Sequence, residues 1–162
     1  MILTTRAFIE RDPAYSRLAS RLLTHAVYKE AYGGSVDFTK LDETYRNAFI
    51  QNIRLLTEAK KLDHRMTTFN LERLAASLKP ERDDLFLFLG MQTLADRYFL
   101  NHPTEKRMLE TPQAFWMRVA MGLALNETRG LREDHAIRFY ELMSTLRFVP
   151  STPTLFHAGT SH

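Results

Sequence analysis

Three hydroxyl side chains near the C-terminal end of the sequence are its clearest candidates for binding chemistry. Ser151, Thr152 and Thr154 lie in the segment PSTPTLF. Pro150 and Pro153 restrict the backbone there, and we expect it to be extended rather than helical. Hydroxyl groups and free backbone amides on a rigid extended segment can form hydrogen bonds with a sugar or a phosphate. A structural turn with capping hydroxyls is the competing interpretation, and on the residues alone it is the stronger one.

Other common catalytic patterns are missing from the sequence. It has no cysteine, which excludes disulfides, thiolate metal ligands, cysteine nucleophiles and any dithiol redox step within this chain. The six histidines show no metal-ligand spacing such as H-x-x-x-H, and the neighbours Glu133, Asp134 and His135 diverge on a helix. Gly33-Gly34 lacks the following Lys-Ser/Thr of a phosphate loop. We therefore predict no catalytic, metal-binding or cofactor-binding residue in this chain.

The composition is typical of an ordinary globular domain. Of the 162 residues, 44% are hydrophobic and 25% are charged, which fits one domain with its own core. The net charge is only +3, and acidic and basic residues alternate, as in KPERDD, so we predict no direct binding to nucleic acid. No apolar run approaches the roughly 20 residues that span a bilayer, and MILTTR does not begin a signal peptide. We expect a cytoplasmic protein that does not bind a membrane.

The spacing of apolar residues predicts a mainly α-helical fold. Pro13 and Gly33-Gly34 mark the two ends of a first helix, and LDETYRNAFIQNIRLLTEAKKL predicts a second. FNLERLAASL predicts a short helix, and the apolar segment RDDLFLFLGMQTLADRYFL predicts a buried one. The next segment, RYFLNHPTEKRMLETP, is interpreted as a small β-hairpin. Two further helices are predicted in TPQAFWMRVAMGLALNE and REDHAIRFYELMSTLRF.

Four blocks of the sequence resemble the large subunits of class I ribonucleotide reductases. They are TTRAFIERDPAYSRLASRLL, LGMQTLADRYFL, ETPQAFWMRVAMGLALNE and AIRFYELMSTLRFVPSTPTLFHAGT, and they follow the order of that family over nearly the whole chain. The most specific is STPTLF-x-AG. In the family a threonine just before Pro-Thr contacts the substrate, so the resemblance implies that Thr152 binds the diphosphate of a nucleoside diphosphate. Ser151 and Thr154 flank it as further substrate-binding candidates.

The resemblance also implies a division into domains. Residues 1–148 would be the helical N-terminal domain of the large subunit, with its small β-hairpin. Residues 149–162 would be the start of the ten-stranded α/β barrel, with a C-terminal strand that enters the barrel. In the family a Ser-Ser-Cys motif with the first redox cysteine follows within a few residues, and the sequence stops before it. We expect the ATP-binding cone of many family members to be absent from this chain or to lie on another.

The function implied by the resemblance is that of a split enzyme. The chain would be the N-terminal part of a large subunit, either assembled with a companion chain or joined to it by protein splicing. The complete enzyme would reduce ribonucleoside diphosphates to deoxyribonucleoside diphosphates for DNA synthesis, whereas the isolated chain would be inactive. Its partners would be a metal-containing small subunit as radical source, thioredoxin or glutaredoxin as reductant, and ATP and deoxynucleoside triphosphates as effectors.

Two other functions compete with this interpretation. The first is a stand-alone helical binding or regulatory module derived from the same fold, and a basic nucleic-acid-binding domain ranks behind it. A self-sufficient module would have no reason to retain PSTPTLFHAGT, whereas a split enzyme needs this segment to enter its barrel. The C-terminal segment therefore favours the reductase.

Overall fold

The described part of the chain, residues 2–161, consists in this computed structural model of eight α-helices joined by loops and 3-10 helices. The 3-10 helices are Phe38–Lys40, His64–Thr68 and Pro80–Leu85. The mainly helical fold is confirmed, since no strand longer than an isolated bridge is assigned between residues 2 and 161. The α-helices are α1 (Ile2–Ala7), α2 (Ala14–Tyr32), α3 (Leu41–Glu58), α4 (Leu71–Ala76), α5 (Phe88–Arg97), α6 (Pro112–Ala124), α7 (Arg132–Ser144) and α8 (Thr152–His157).

The ends of α2 follow directly from the local sequence. The Asp12 carboxylate accepts a hydrogen bond from the backbone N–H of Ala14 at 2.8 Å, which satisfies a free donor of the first turn. At the other end Gly33 has a φ of 74°, and its N–H donates to the Lys29 carbonyl. A residue without a Cβ adopts this left-handed conformation at little cost, so glycine ends the helix. The predicted first helix is confirmed.

Helix α6 lies at the centre of the core. Every residue from Pro112 to Met121 is buried, because this helix is apolar on nearly all sides and packs mainly against α7. Phe115 and Trp116 contact each other with ring centroids 4.8 Å apart, and Phe99 lies 5.6 Å from Phe115. Helix α6 is thus the rigid element against which the surrounding helices are positioned.

The prediction of one buried helix over RDDLFLFLGMQTLADRYFL is wrong. A 3-10 helix ends at Leu85, the backbone is extended at Phe86 and Leu87, and α5 begins only at Phe88. Successive side chains of an extended backbone point to opposite faces. Phe86 and Phe88 are therefore buried, whereas Leu87 between them is 51% exposed. Leu89, in the first turn of α5, is 73% exposed. Five consecutive apolar residues fit either periodicity, so the sequence could not distinguish them.

The predicted β-hairpin is reduced to a chain reversal with one antiparallel bridge, between Asn101 and Met108. Side chains bind two backbone donors next to this bridge. Glu110 accepts from the Leu100 N–H at 2.9 Å, and Glu30 accepts from the Met108 N–H at 2.7 Å. Because the Glu110 carboxylate takes the Leu100 N–H that would pair with the facing segment, the ladder ends there and two paired strands do not form.

The extended segment predicted around Pro150 and Pro153 is also wrong, because residues Thr152–His157 form helix α8. Pro153 lies in the first turn of α8, where the N–H that proline lacks would have no helical partner. The predicted C-terminal strand is not formed within the described residues. Thr160 makes only an isolated antiparallel bridge with Leu62.

Candidate functional site

The three predicted substrate-binding hydroxyls lie together at the start of α8. Ser151 precedes the helix, and its carbonyl accepts a hydrogen bond from the Leu155 N–H at 3.1 Å. The Ser151 and Thr154 hydroxyl oxygens are 3.4 Å apart. Ser151 and Thr152 are exposed, and Thr154 is partly buried. The structure therefore brings all three predicted residues to one surface patch, on a short helix rather than on an extended segment.

A buried arginine on α6 fixes α8 to the core. Arg118 is 0% exposed, and its Nη1 donates to the carbonyls of Ala158 at 3.0 Å and Leu155 at 3.4 Å. Its Nε and Nη2 donate to the two carboxylate oxygens of Glu110 at 2.8 and 3.1 Å. A buried cation is tolerated only when it is paired and its donors are used, as they are here. The guanidinium therefore ties the end of α8 to α6.

Two glycines allow the chain after α8 to cross α6 at close range. A Cβ at Gly122 would lie 2.2 Å from the Gly159 nitrogen, so only glycine fits there. Gly159 has a φ of 78°, and a Cβ on it would lie 2.7 Å from the Met66 side chain. Its carbonyl accepts a hydrogen bond from the Asp63 N–H at 3.0 Å. This close contact holds the segment that follows the candidate hydroxyls.

Tyr98, at the end of α5, contacts α8 from the other side. Its hydroxyl oxygen lies 3.3 Å from the Thr152 hydroxyl oxygen, and its ring centroid lies 4.6 Å from that of Phe156. Its carbonyl accepts a hydrogen bond from Arg118 Nη2 at 3.4 Å. Tyr98 and Arg118 were not among the sequence candidates. The only available signal was an arginine within the otherwise apolar α6, which must have partners when buried.

A second polar cluster, which the sequence analysis missed, surrounds Asp83. This carboxylate is 4% exposed and accepts hydrogen bonds from Tyr28 Oη at 2.6 Å, Tyr45 Oη at 3.0 Å and Gln113 Nε2 at 2.7 Å. The Gln113 side-chain oxygen in turn accepts from Tyr140 Oη at 2.8 Å. The cluster joins α2, α3, α6 and α7 through groups far apart in sequence.

The environment of Asp83 changes its protonation. Burial raises the pKa of Asp83 from 3.8 to about 7, although the hydrogen bonds from Tyr28, Gln113 and Tyr45 act in the opposite direction. Burial, and then the nearby Asp83 carboxylate, raise the pKa of the Tyr28 phenol as well. The tyrosines therefore stay protonated and serve as hydrogen-bond donors. Because its groups are turned toward one another, this cluster is suited to stabilising the fold.

Two further features of the described residues bear on function. Within residues 2–161, no three histidine, aspartate or glutamate side chains are grouped so that they could hold a metal ion. No helix in the same range combines the length and the apolar character needed to cross a membrane.

Comparison with known proteins relates the chain to one family. Residues 84–162 match the family model of the ribonucleotide reductase all-alpha domain. The chain is 46% identical over 167 aligned positions to the ribonucleoside-diphosphate reductase subunit alpha of Chlamydia trachomatis, covering 99% of this chain and 15% of that protein. It is 37% identical to the same subunit of Helicobacter pylori strain J99, over 92% of this chain and 18% of the relative. It is 32% identical to the subunit alpha of Enterobacteria phage T4, over 91% of this chain and 19% of that protein. The chain thus spans less than a fifth of the length of these relatives.

Proposed function

The chain belongs to the ribonucleotide reductase large-subunit family, and we propose that it forms the helical N-terminal part of a ribonucleoside-diphosphate reductase. The complete enzyme would reduce ribonucleoside diphosphates to deoxyribonucleoside diphosphates for DNA synthesis. Alignment of 91 to 99% of this chain with subunits named for that activity supports the proposal. The chain spans only 15 to 19% of those subunits. The presence of the remaining parts of the enzyme is therefore also proposed.

The chemistry of the reaction would lie outside this chain. The redox and radical cysteines that the family resemblance implies have no counterpart among its residues, because the sequence contains no cysteine. The rest of the large subunit would supply them, a metal-containing small subunit would supply the radical, and thioredoxin or glutaredoxin would supply electrons. ATP and deoxynucleoside triphosphates would act as effectors. We propose that this complex acts in the cytoplasm. A companion chain that carries the rest of the large subunit stays a prediction.

The domain division also stays a prediction. We propose that residues 1–148 form the helical N-terminal domain and that residues 149–162 begin the barrel. Phe148 and Val149 are 57% and 54% exposed, which supports a boundary where the chain leaves α7.

Within the assembled enzyme, Thr152 would donate a hydrogen bond to the diphosphate of the substrate, with Ser151 and Thr154 beside it. The observation that carries this proposal is the exposed residue Thr152 at the start of a helix that Arg118 fixes to the core. A hydrogen bond to a charged group contributes about 1.5–3 kcal/mol. Because Arg118 binds the C-terminal end of α8, this helix can present the donor at a constant position.

The test is Thr152→Val in the large subunit assembled with its remaining segments. Valine keeps the shape and the backbone amide and removes only the hydroxyl, so the KM for the nucleoside diphosphate should rise about 10- to 100-fold. The matched control is Thr39→Val, which removes an exposed hydroxyl bonded to Asp37 in the 3-10 helix before α3 and should leave KM unchanged. The isolated chain, supplied with small subunit and reductant, should show no turnover.

Two outcomes would contradict the proposal. The first is ribonucleotide reduction by the isolated chain. The second is a structure of the assembled enzyme with substrate in which Thr152 is remote from the diphosphate. A KM that does not change on Thr152→Val would exclude the hydroxyl as the donor.

A further inference from the structure

Tyr98 is held more rigidly than its place at the end of a helix requires. It is 8% exposed, and its backbone N–H donates to the Leu94 carbonyl at 3.0 Å. Its ring centroid lies 4.6 Å from that of Phe156 and 6.2 Å from that of Phe115. Its carbonyl is bound by Arg118. Because the backbone and the ring are both fixed, the phenol oxygen occupies one position relative to α8.

We propose that Tyr98 is a positioning residue, which orients the Thr152 hydroxyl so that its hydrogen points toward the substrate diphosphate. This inference rests on the proposed function of Thr152. The observation that supports it is the 3.3 Å distance between the two hydroxyl oxygens. Tyr98 is a buried residue, and Thr152 is an exposed one.

The direction of this hydrogen bond follows from the chemistry of the ligand. A hydroxyl group has one hydrogen to donate and two lone pairs that accept. An ionised phosphate oxygen can only accept, so Thr152 must give its hydrogen to the phosphate. The Tyr98 phenol must then donate to the Thr152 oxygen. Hydrogen bonds arranged in such a chain polarise one another, so Tyr98 also strengthens the donor that faces the substrate.

Without Tyr98 the threonine hydroxyl would have several orientations. Thr152 is the first residue of α8, so no carbonyl of a preceding turn of this helix is available to its side chain. Rotation about the side-chain bonds would spread the hydrogen over directions that miss the phosphate. The competing interpretation is that Tyr98 is a core aromatic residue whose ring alone matters, and Tyr98→Phe distinguishes the two because it keeps the ring.

The first test is a double-mutant cycle in the assembled enzyme. Tyr98→Phe should raise the KM for the nucleoside diphosphate about three- to tenfold, the effect of one neutral hydrogen bond, and leave kcat within about twofold. In a Thr152→Val background the same change should have no further effect, because Tyr98 acts only through the missing hydroxyl. The control is Tyr140→Phe, which removes a buried hydroxyl bonded to Gln113; it should lower Tm and leave KM unchanged.

The outcomes separate this inference from the proposed function. If Thr152→Val raises KM and Tyr98→Phe does not, the positioning role of Tyr98 is wrong and the function of Thr152 stands. If Tyr98→Phe raises KM equally in both backgrounds, Tyr98 acts without Thr152, and the inference is again overturned. If Thr152→Val leaves KM unchanged, the hydroxyl is not the donor and both proposals fail.

A second measurement uses the isolated chain and needs no assembly. Three-bond NMR couplings report the side-chain rotamer of Thr152 directly. We expect one dominant rotamer in the unmodified chain and averaging over several rotamers in Tyr98→Phe. These couplings report χ1, the torsion that places the hydroxyl oxygen. The same dominant χ1 rotamer in both proteins, together with an unchanged KM in Tyr98→Phe, would overturn the positioning role.

Discussion

The Asp83 cluster and the Arg118 cluster both bury a charged group, but they differ in where their contacts lead. Around Asp83 the hydrogen bonds run to Tyr28, Tyr45 and Gln113 and return into the core. Around Arg118 the contacts continue through α8 to hydroxyls at the surface. Burial and an altered pKa therefore do not by themselves mark a site. If the proposed role of Thr152 is right, the better indicator is a buried network whose contacts reach hydroxyl groups at the surface.

The largest expected effect comes from breaking the Arg118 cluster. Arg118→Leu would leave the Glu110 carboxylate buried without its cation, which costs about 3–5 kcal/mol. Chemical denaturation should show this loss in the free energy of unfolding. Arg54→Ala is the matched control, because its ion pair with Glu72 is largely exposed and should contribute less than about 1 kcal/mol. Equal effects of the two changes would contradict the distinction between buried and exposed pairs.

The Asp83 cluster should respond to pH rather than to substrate. Because folding raises the pKa of Asp83 from 3.8 to about 7, the folded state keeps a proton that the unfolded chain has lost between these values. This contribution to stability is complete below about pH 4 and is lost as the pH rises toward 7. We therefore expect the free energy of unfolding to fall steadily as the pH rises across this window.

Two variants test whether Asp83 causes this pH dependence of stability. Asp83→Asn removes the titrating group and should flatten the profile between about pH 4 and 7, whereas Asp84→Asn, an exposed neighbour paired with Arg21, should keep most of the slope. Asp63 titrates below this window, because its hydrogen bond to Arg65 lowers its pKa to about 2. A flat profile in the unmodified chain would show that Asp83 is ionised throughout.

A smaller effect is expected where α8 is followed by the close crossing of α6. Gly122→Ala would place a Cβ 2.2 Å from the Gly159 nitrogen, so the segment must move, at a cost of about 1–3 kcal/mol. The Asp63 amide, which bonds the Gly159 carbonyl, should then exchange its hydrogen faster. Gly130→Ala is the control, since no atom lies within 4 Å of the added Cβ. Unchanged exchange at Asp63 in Gly122→Ala would contradict the close contact.

The sequence predicted the parts of this structure that depend on neighbouring residues. The end of α2 at Gly33 and the burial of α6 follow from local conformation and periodicity. The sequence did not predict helix α8, because proline excludes the interior of a helix but fits its first turn, where Pro153 lies. The sequence did not predict the exposure of Leu87, because its apolar neighbours fit both a helix and an extended strand.

The sequence pointed to the surface hydroxyls of the candidate site but not to the buried residues that hold them in place. The hydroxyls near Thr152 are adjacent in sequence, so a short motif identified them. Arg118 contacts Ala158 across 40 residues and Leu155 across 37. Tyr98 and Thr152 are 54 residues apart. Such pairs are fixed by tertiary packing, and one sequence contains no local signal for them.

The bridge between Leu62 and Thr160 has a consequence for the order of folding. Near it, the Ser161 N–H donates to the Lys61 carbonyl, so the chain closes a loop of about 100 residues there. Closing so long a loop costs entropy that is recovered only when the intervening helices are already packed. We therefore expect α8 to dock last, after the helical body has formed. During synthesis on the ribosome, the hydroxyls that would face the diphosphate would therefore reach their places only after the helical body has packed.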